Sequence, residues 1–156
     1  MALVTPWPSI RQALLQDLRS NLVLKGEMKG GWSEGFAPQP PKYPLGLISL
    51  HYAPSLYDWS GRTVIVGVDV FVVSKDQGEA SSLYQLAFTT LQDAKLDFDV
   101  TGLTSLQCRQ VSDLSLPDVD AEGKAVYEVG GVWEIRVAQS TPTSAALTFT
   151  LDSTIA

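Results

Sequence analysis

The fold is decided by one stretch, Arg62-Thr-Val-Ile-Val-Gly-Val-Asp-Val-Phe-Val-Val-Ser74. Valine stands at every even position from Val64 to Val72, and successive side chains of a strand point to opposite faces. The pattern therefore predicts a long strand with one continuous apolar face, while the odd positions, Thr63 to Val73, form a mixed second face. A strand of this length needs neighbouring strands and a helix that covers the valines.

Two amphipathic helices are predicted, one before and one after this strand. The first runs from about Ser9 to Leu22 and the second from about Glu79 to Lys95. In both segments apolar residues recur at spacings of three and four, which places them on one face of a helix. We expect the apolar face of the second helix to pack on the valines.

Three further strands complete the predicted sheet. They run from Leu47 to Tyr52, between Thr104 and Val111, and from Ala125 to Ala138. Gly130 and Gly131, in the middle of the last strand, indicate a bulge or a close backbone contact. The last strand alternates, and its predicted core face carries Tyr127, Val129, Gly131, Trp133, Ile135 and Val137.

The predicted fold class is α+β. We expect a mainly antiparallel four-stranded sheet with helices packed on one face, in the order helix, strand, strand, helix, strand, strand. A chain of 156 residues with 45% hydrophobic residues can bury a core of this size, and residues 1–138 would form one domain. Residues 139–156 would be a C-terminal extension. It could add a strand to its own subunit or, as we favour, to a neighbouring one.

A long loop, residues 26–46, is rich in glycine and proline. Loops of such length inside a compact domain are usually functional or mobile. This loop also carries three aromatic residues, Trp32, Phe36 and Tyr43. Aromatic side chains on a proline-stiffened segment favour an arm that packs on another protein, with an internally packed cover as the alternative.

The composition excludes several classes of function. A net charge of −6 and a pI near 4.6 argue against binding of nucleic acid, which depends on lysine and arginine. The N-terminus does not resemble a signal peptide, and no apolar run approaches the ~20 residues that cross a bilayer, so we expect an intracellular protein without a membrane contact. Cys108 is the only cysteine and is expected to be a small buried side chain.

No catalytic, cofactor or metal site is predicted. The sequence lacks the glycine patterns that bind dinucleotides or nucleotide phosphates, and it has no paired histidines or cysteines. His51, the only histidine, has no nucleophile elbow around it and is interpreted as a structural or interface residue. The acidic residues Asp113, Asp118, Asp120 and Glu122 do not have EF-hand spacing and indicate a solvated loop from residue 113 to 123. The protein is therefore not expected to be an enzyme.

The order of these elements resembles the tail terminator, or tail completion, proteins of long-tailed bacteriophages. The resemblance covers roughly residues 8 to 138 and consists of element order and turn chemistry. The segments that match are the N-terminal helix (Ile10 to Leu22), a Gly/Pro-rich loop before the strand Leu47 to Tyr52, the long strand Val64 to Ser74, the helix start Gly78-Glu79-Ala80, and the hairpin Asp120-Ala121-Glu122-Gly123-Lys124 before the strand Tyr127 to Val137.

This resemblance implies a structural virion protein that is assembled in the host cytoplasm. Members of the family form a ring, usually a hexamer, that sits on the last ring of tail-tube protein and stops its polymerisation. The ring then offers a docking surface to the head connector, and the genomic DNA passes through it without specific binding. The family has no catalytic motif or cofactor.

In such a ring, aromatic turns and loops would contact other proteins, and the acidic hairpin would face the lumen or an axial surface. The candidate interface residues are Trp32, Phe36, Tyr43, Tyr57 and Trp59, and the candidate acidic residues are Asp118, Asp120 and Glu122. Two alternatives stay open. One is a connector or stopper ring of the virion neck, which would bind the portal side. The other is a small enzyme or ligand-binding domain with a cleft beside the sheet.

Overall fold

The structure, a computed structural model, describes residues 5–58 and 61–140. In these residues the chain forms three helices and six strands. The helices are α1 (Trp7–Ser20), α2 (Leu22–Glu27) and α3 (Gln77–Leu91). The strands are β1 (Trp32–Glu34), β2 (Leu45–Tyr52), β3 (Ser55–Asp58), β4 (Gly61–Ser74), β5 (Leu103–Val119) and β6 (Ala125–Ser140).

The six strands form a mixed sheet in the order β1-β2-β4-β6-β5, and β3 pairs with the start of β4. β1 runs parallel to β2, whereas the other pairs are antiparallel. The predicted architecture, a mainly antiparallel four-stranded sheet with helices on one face and two strands between the helices, is therefore wrong. β1 and β3 have three and four residues, too few for an alternating pattern to reveal them.

The predicted core face of β4 is confirmed. Its valines at positions 64 to 72 are at most 1% exposed and share one buried cluster with residues of α1, α3 and β6. The buried partners include Ile10, Leu14 and Leu18 of α1, Ala80, Leu83 and Leu91 of α3, and Trp133, Ile135 and Val137 of β6. The core therefore contains the apolar faces that periodicity predicted for these elements.

Side-chain caps mark where α2 and α3 begin. The carboxamide oxygen of Asn21 accepts hydrogen bonds from the backbone N–H groups of Val23 and Leu24, both at 3.1 Å. Asn21 thus separates α1 from α2, a short helix that was not predicted. The side chain of Asp76 caps α3 in the same way, accepting from the backbone N–H of Glu79 at 3.2 Å.

Strand β5 is much longer than predicted and ends at Val119. Most of the expected acidic loop is therefore strand, and only the turn 120–124 connects β5 to β6. Every residue from Val111 to Val119 is exposed, so this half of β5 shows no apolar alternation. Backbone pairing with β6 holds it in the sheet.

The two glycines of β6 mark a close backbone contact, as predicted. A Cβ on Gly130 would lie 2.0 Å from the carbonyl oxygen of Val70, and one on Gly131 would lie 2.1 Å from that of Ser112. The absence of side chains at these two positions lets β4 and β5 approach β6 closely from opposite sides.

Candidate interaction surfaces

Two of the predicted surfaces, the Gly/Pro-rich loop and the acidic hairpin, meet at the tip of the β5–β6 hairpin. The hydroxyl of Tyr43, in the Gly/Pro-rich loop, donates a hydrogen bond to Oδ2 of Asp120 at 3.3 Å. Oδ1 of Asp120 accepts from the backbone N–H groups of Glu122 and Lys124, both at 2.9 Å. Nζ of Lys124 lies 3.1 Å from Oε2 of Glu122. We call Asp118, Asp120, Glu122 and Lys124 the hairpin tip.

The hydrogen bonds at the hairpin tip favour the ionised form of the Asp120 carboxylate. A hydrogen bond from the backbone of Lys124 lowers the pKa of Asp120. Burial raises the pKa of the Tyr43 hydroxyl, and the nearby charge of Asp120 raises it further. Asp120 therefore stays ionised and Tyr43 stays neutral over the whole physiological range of pH, which preserves the hydrogen bond between them.

The Gly/Pro-rich loop also covers one end of the sheet. We call the face that carries the odd-numbered residues of β4 the outer face. There Leu45, Val73 and Val126 form a small buried cluster, and Ala37 and Tyr43 of the loop pack against it. The loop is therefore at least in part an internal cover, the alternative to an arm that packs only on another protein.

The other two aromatic residues of the loop differ completely in exposure. Trp32 is 4% exposed and belongs to the core, whereas Phe36 is 92% exposed. The parallel pairing of β1 with β2 holds the Trp32 ring against Gly46. The prediction that Trp32 lies on the surface, where it could contact another protein, is therefore wrong. An interface role for Phe36 stays a prediction.

Tyr57 lies at the opposite end of the sheet. It is exposed on β3, and its hydroxyl accepts a hydrogen bond from Arg62 at 3.4 Å. β4 has 14 residues between this end and the hairpin tip, a distance of roughly 45 Å. Trp59 lies outside the described residues. The predicted interface residues therefore do not form one patch but lie towards two ends of the molecule.

The outer face between these ends is only partly covered. A register shift in β2 lies between Leu50 and Tyr52, and the Tyr52 ring lies over Gly67 of β4. Nδ1 of His51 lies 3.2 Å from Oδ2 of Asp69. His51 is thus part of an exposed polar pair on a sheet face, which agrees with a structural or interface histidine.

A groove of about 480 Å³ runs between α3 and the β5–β6 hairpin. Beside it the indole Nε1 of Trp133 donates to the hydroxyl of Tyr84 at 2.9 Å, and this hydroxyl donates to Gln110. Burial raises the pKa of Tyr84 to about 12. The phenol stays protonated at neutral pH and cannot act as a general base there, so we interpret this chain of hydrogen bonds as structural.

Outside this groove, the described residues contain few groups that could bind a metal ion or act as a nucleophile. They contain no group of three or more His, Cys, Asp or Glu side chains placed to hold a metal ion. Cys108 is fully buried, as predicted, and burial raises the pKa of its thiol to about 12. Within the part of the chain that the structure describes, no helix is long and apolar enough to span a membrane. That the protein is not an enzyme stays a prediction.

One surface could not be foreseen, the edge of the sheet formed by β5, beside which no further strand lies among residues 5–58 and 61–140; we call it the free edge of β5. The side chains of Val111, Leu114, Leu116 and Val119 are between 40% and 62% exposed. An exposed strand at a sheet edge presents unpaired backbone groups to any other strand. The sequence offered no signal for it, because every side chain from Val111 to Val119 is exposed and no alternation of buried and exposed residues marks this half of β5.

Comparisons with known proteins identify the fold. No protein-family model matches the sequence, and no curated protein matches it. The fold, however, is shared with a protein of solved structure. A chain described as "Virion of native gene transfer agent (GTA) particle" is similar with a TM-score of 0.66 and 15% sequence identity, over 87% of this chain and 99% of that one. At this identity the similarity shows a common fold, and it extends over nearly the whole of the virion chain.

Proposed function

We propose that this chain is a structural virion protein that forms a ring, a hexamer, at the head-proximal end of a phage tail. In this role it ends polymerisation of the tail tube, provides the docking surface for the head connector, and carries out no catalysis. The observation that carries the proposal is the fold, which matches 99% of a chain from a virion particle with a TM-score of 0.66. The element order resembles tail terminator proteins, which supports the finer assignment.

The distribution of surfaces supports a ring component. A ring between a tube and a connector needs contacts on two axial faces and between its own subunits. Exposed side chains lie at both ends of β4, at Tyr57 and at the hairpin tip. The partly covered outer face and the free edge of β5 lie between them. The net charge of −6 suits a channel through which DNA passes without being bound.

The proposal is tested by negative-stain imaging of the purified protein, alone and with tail tubes polymerised from the same virion. We expect sixfold rings that cap one end of the tubes. Rings that ignore the tubes but bind the portal side would instead support the alternative, a connector or stopper ring of the virion neck. A monomer that binds neither would overturn both assignments.

Two pairs of substitutions identify the end that meets the tube. Asp118→Lys with Glu122→Lys changes the hairpin tip, and Leu56→Ser with Tyr57→Ser changes the exposed residues of β3. All four side chains are exposed or make only surface contacts, so the fold should survive both changes. Loss of capping by only one pair assigns the tube contact to that end.

A further inference from the structure

The groove between α3 and the β5–β6 hairpin combines apolar and polar side chains. Phe88 of α3 and Val129 of β6 line it, and both are partly buried against the core. Gln110 and Asp113 line it from β5. Its volume of about 480 Å³ is typical of sites that hold a side chain or a small ligand. Asp113 is the only charged residue among the described residues that line the groove.

An irregularity in β5 directs Asp113 into this groove. Residues three apart in a regular strand point to opposite faces, so Gln110 and Asp113 would lie on opposite sides of the sheet. However, the pairing with β6 shifts its register between Gln110 and Ser112, which leaves one extra residue on β5. Gln110 lies opposite Trp133. Asp113 lies opposite Gly131, two residues before Trp133, and therefore on the same face as Gln110. Such bulges redirect side chains and are frequent beside functional sites.

Hydrogen bonds from the core hold the Asp113 carboxylate in place. An indole can only donate, so the bond of 2.9 Å from Nε1 of Trp133 leaves the Tyr84 hydroxyl to donate its own proton. This hydroxyl donates to Oε1 of Gln110, and Nε2 of Gln110 donates to Oδ1 of Asp113. Trp133 is fully buried and Tyr84 is 8% exposed, whereas Asp113 is exposed. The chain of hydrogen bonds therefore runs from the core to the surface and ends on an acceptor.

The carboxylate at the end of this chain can accept further hydrogen bonds. An ionised carboxylate has about four lone-pair sites, and among the described residues only Gln110 donates to Asp113. In the part of the chain that the structure describes, no lysine or arginine forms an ion pair with Asp113. A cation with N–H donors is the group that would complement this carboxylate.

We propose that this groove binds an arginine side chain of a partner protein. The planar guanidinium can lie on the ring of Phe88 while its N–H groups donate to Asp113. The groove borders the free edge of β5, where an extended segment of the partner can form backbone hydrogen bonds. A basic segment also complements the net charge of −6. The inference rests on the proposed function only in that the chain binds other proteins.

Titration of the isotope-labelled protein with two blocked peptides, followed by NMR, tests this site. One peptide reads Thr-Val-Arg-Val-Thr, and in the other citrulline, which has nearly the same shape but no charge, replaces the arginine. We expect the arginine peptide to shift the amide signals of Asp113 and Ser115 and the indole signal of Trp133. The citrulline peptide should bind about fivefold more weakly. Equal binding of the two peptides, or unchanged signals with the arginine peptide, would overturn the inference.

Two matched substitutions in β5 test the role of the carboxylate. Asp113→Asn removes the charge and keeps an oxygen that can accept from Gln110. It should weaken binding of the arginine peptide about fivefold and leave binding of the citrulline peptide unchanged. Asp118→Asn removes an equal charge on the outer face, since Asp118 lies opposite Val126, and should change neither affinity. An equal loss with Asp118→Asn would indicate general attraction by negative charge and would overturn the inference.

Arginine amide, added alone, distinguishes a protein partner from a small ligand. We expect it to bind more weakly than the arginine peptide, because it cannot form backbone hydrogen bonds along β5. Arginine amide that binds as tightly as the peptide would indicate a site for small molecules and would overturn the assignment to a partner protein.

Imaging of tail tubes with the same protein separates this inference from the proposed function. Capped tubes without binding of the arginine peptide would contradict only the arginine site. Binding of the arginine peptide in its predicted place, in a sample whose tube ends stay bare, would support the arginine site and contradict the terminator role.

Discussion

Tyr43 and Asp120, which are 77 residues apart in the sequence, are joined by a hydrogen bond of 3.3 Å from the phenol to the carboxylate. This contact attaches the Gly/Pro-rich loop to the hairpin tip. Asp120 has a second role, because it also accepts two backbone N–H groups within the turn. The loop and the hairpin therefore form one surface, and a partner that contacts one of them can contact both.

Asp120→Ala should destabilise the protein more than Tyr43→Phe does. Tyr43→Phe removes one partly exposed hydrogen bond and should lower the free energy of unfolding by about 0.5–1 kcal/mol. Asp120→Ala also removes the two turn hydrogen bonds and should therefore lower it further. Urea denaturation measures both. Glu122→Gln is the control, since the ion pair of Glu122 with Lys124 is exposed and should contribute little.

Gly46→Ala should destabilise the fold strongly. A Cβ at this position would lie 2.2 Å from the ring of Trp32, which is buried and cannot move aside without disturbing the core. We expect a loss of about 2–3 kcal/mol in the free energy of unfolding. At Gly78 of α3 a Cβ would have its nearest neighbour at 3.6 Å, so Gly78→Ala should be neutral or stabilise by up to about 1 kcal/mol. Equal effects of the two substitutions would contradict this account.

Stability should fall at alkaline pH. Burial raises the pKa of the Tyr84 hydroxyl from 10.0 to about 12 and that of the Cys108 thiol from 9.0 to about 12. Both groups bind their proton more tightly in the folded than in the unfolded state. Their contribution is fully present below about pH 9 and is lost as the pH rises towards 12.

The measurement is the free energy of unfolding in urea between pH 8 and 11. Cys108→Ala should reduce the slope from about pH 9 upwards, and Tyr84→Phe should reduce it from about pH 10 upwards. A reagent that labels thiols should not react with native Cys108 but should react after unfolding. Rapid labelling of the native protein would show that the thiol is not buried.

If the chain forms the proposed ring, reversal of charge at the hairpin tip should slow DNA passage or weaken docking. Asp118→Lys with Glu122→Lys leaves Asp120 in place, so the turn and its bond to Tyr43 are retained while the charge changes sign. The expected result is a lower infectivity of assembled particles with unchanged stability of the isolated protein. Normal infectivity would exclude a role of this charge in the lumen or on an axial face.

Periodicity predicted the parts of the fold whose side chains are divided between core and solvent. The valines of β4 alternate strictly, and the apolar residues of α1 and α3 recur at helical spacing. In these elements the order of the residues therefore indicates which side chains are buried. Strand β5 beyond Val111 has no buried side chain, and no pattern could reveal it. The parallel pairing of β1 and the bond from Tyr43 to Asp120 are long-range contacts, which a linear sequence does not display.

For the candidate surfaces too, local sequence could be used to predict some features, whereas long-range contacts could not be predicted. Exposure of Phe36 and Tyr57 could be expected from their position in turns. The burial of Trp32 could not, because it depends on pairing with β2 and on the missing side chain of Gly46. The free edge of β5 became visible only when the order of the strands was known.

The exposed half of β5 has an evolutionary consequence. Because backbone atoms hold this half of β5 in the sheet, most substitutions from Val111 to Val119 leave the core unchanged. Selection on these residues therefore acts through what the strand binds and not through folding. This segment can therefore diverge in step with whatever binds it, while β4 stays constrained. Related proteins should differ in sequence most freely along this edge, with matching changes in any protein segment that covers it.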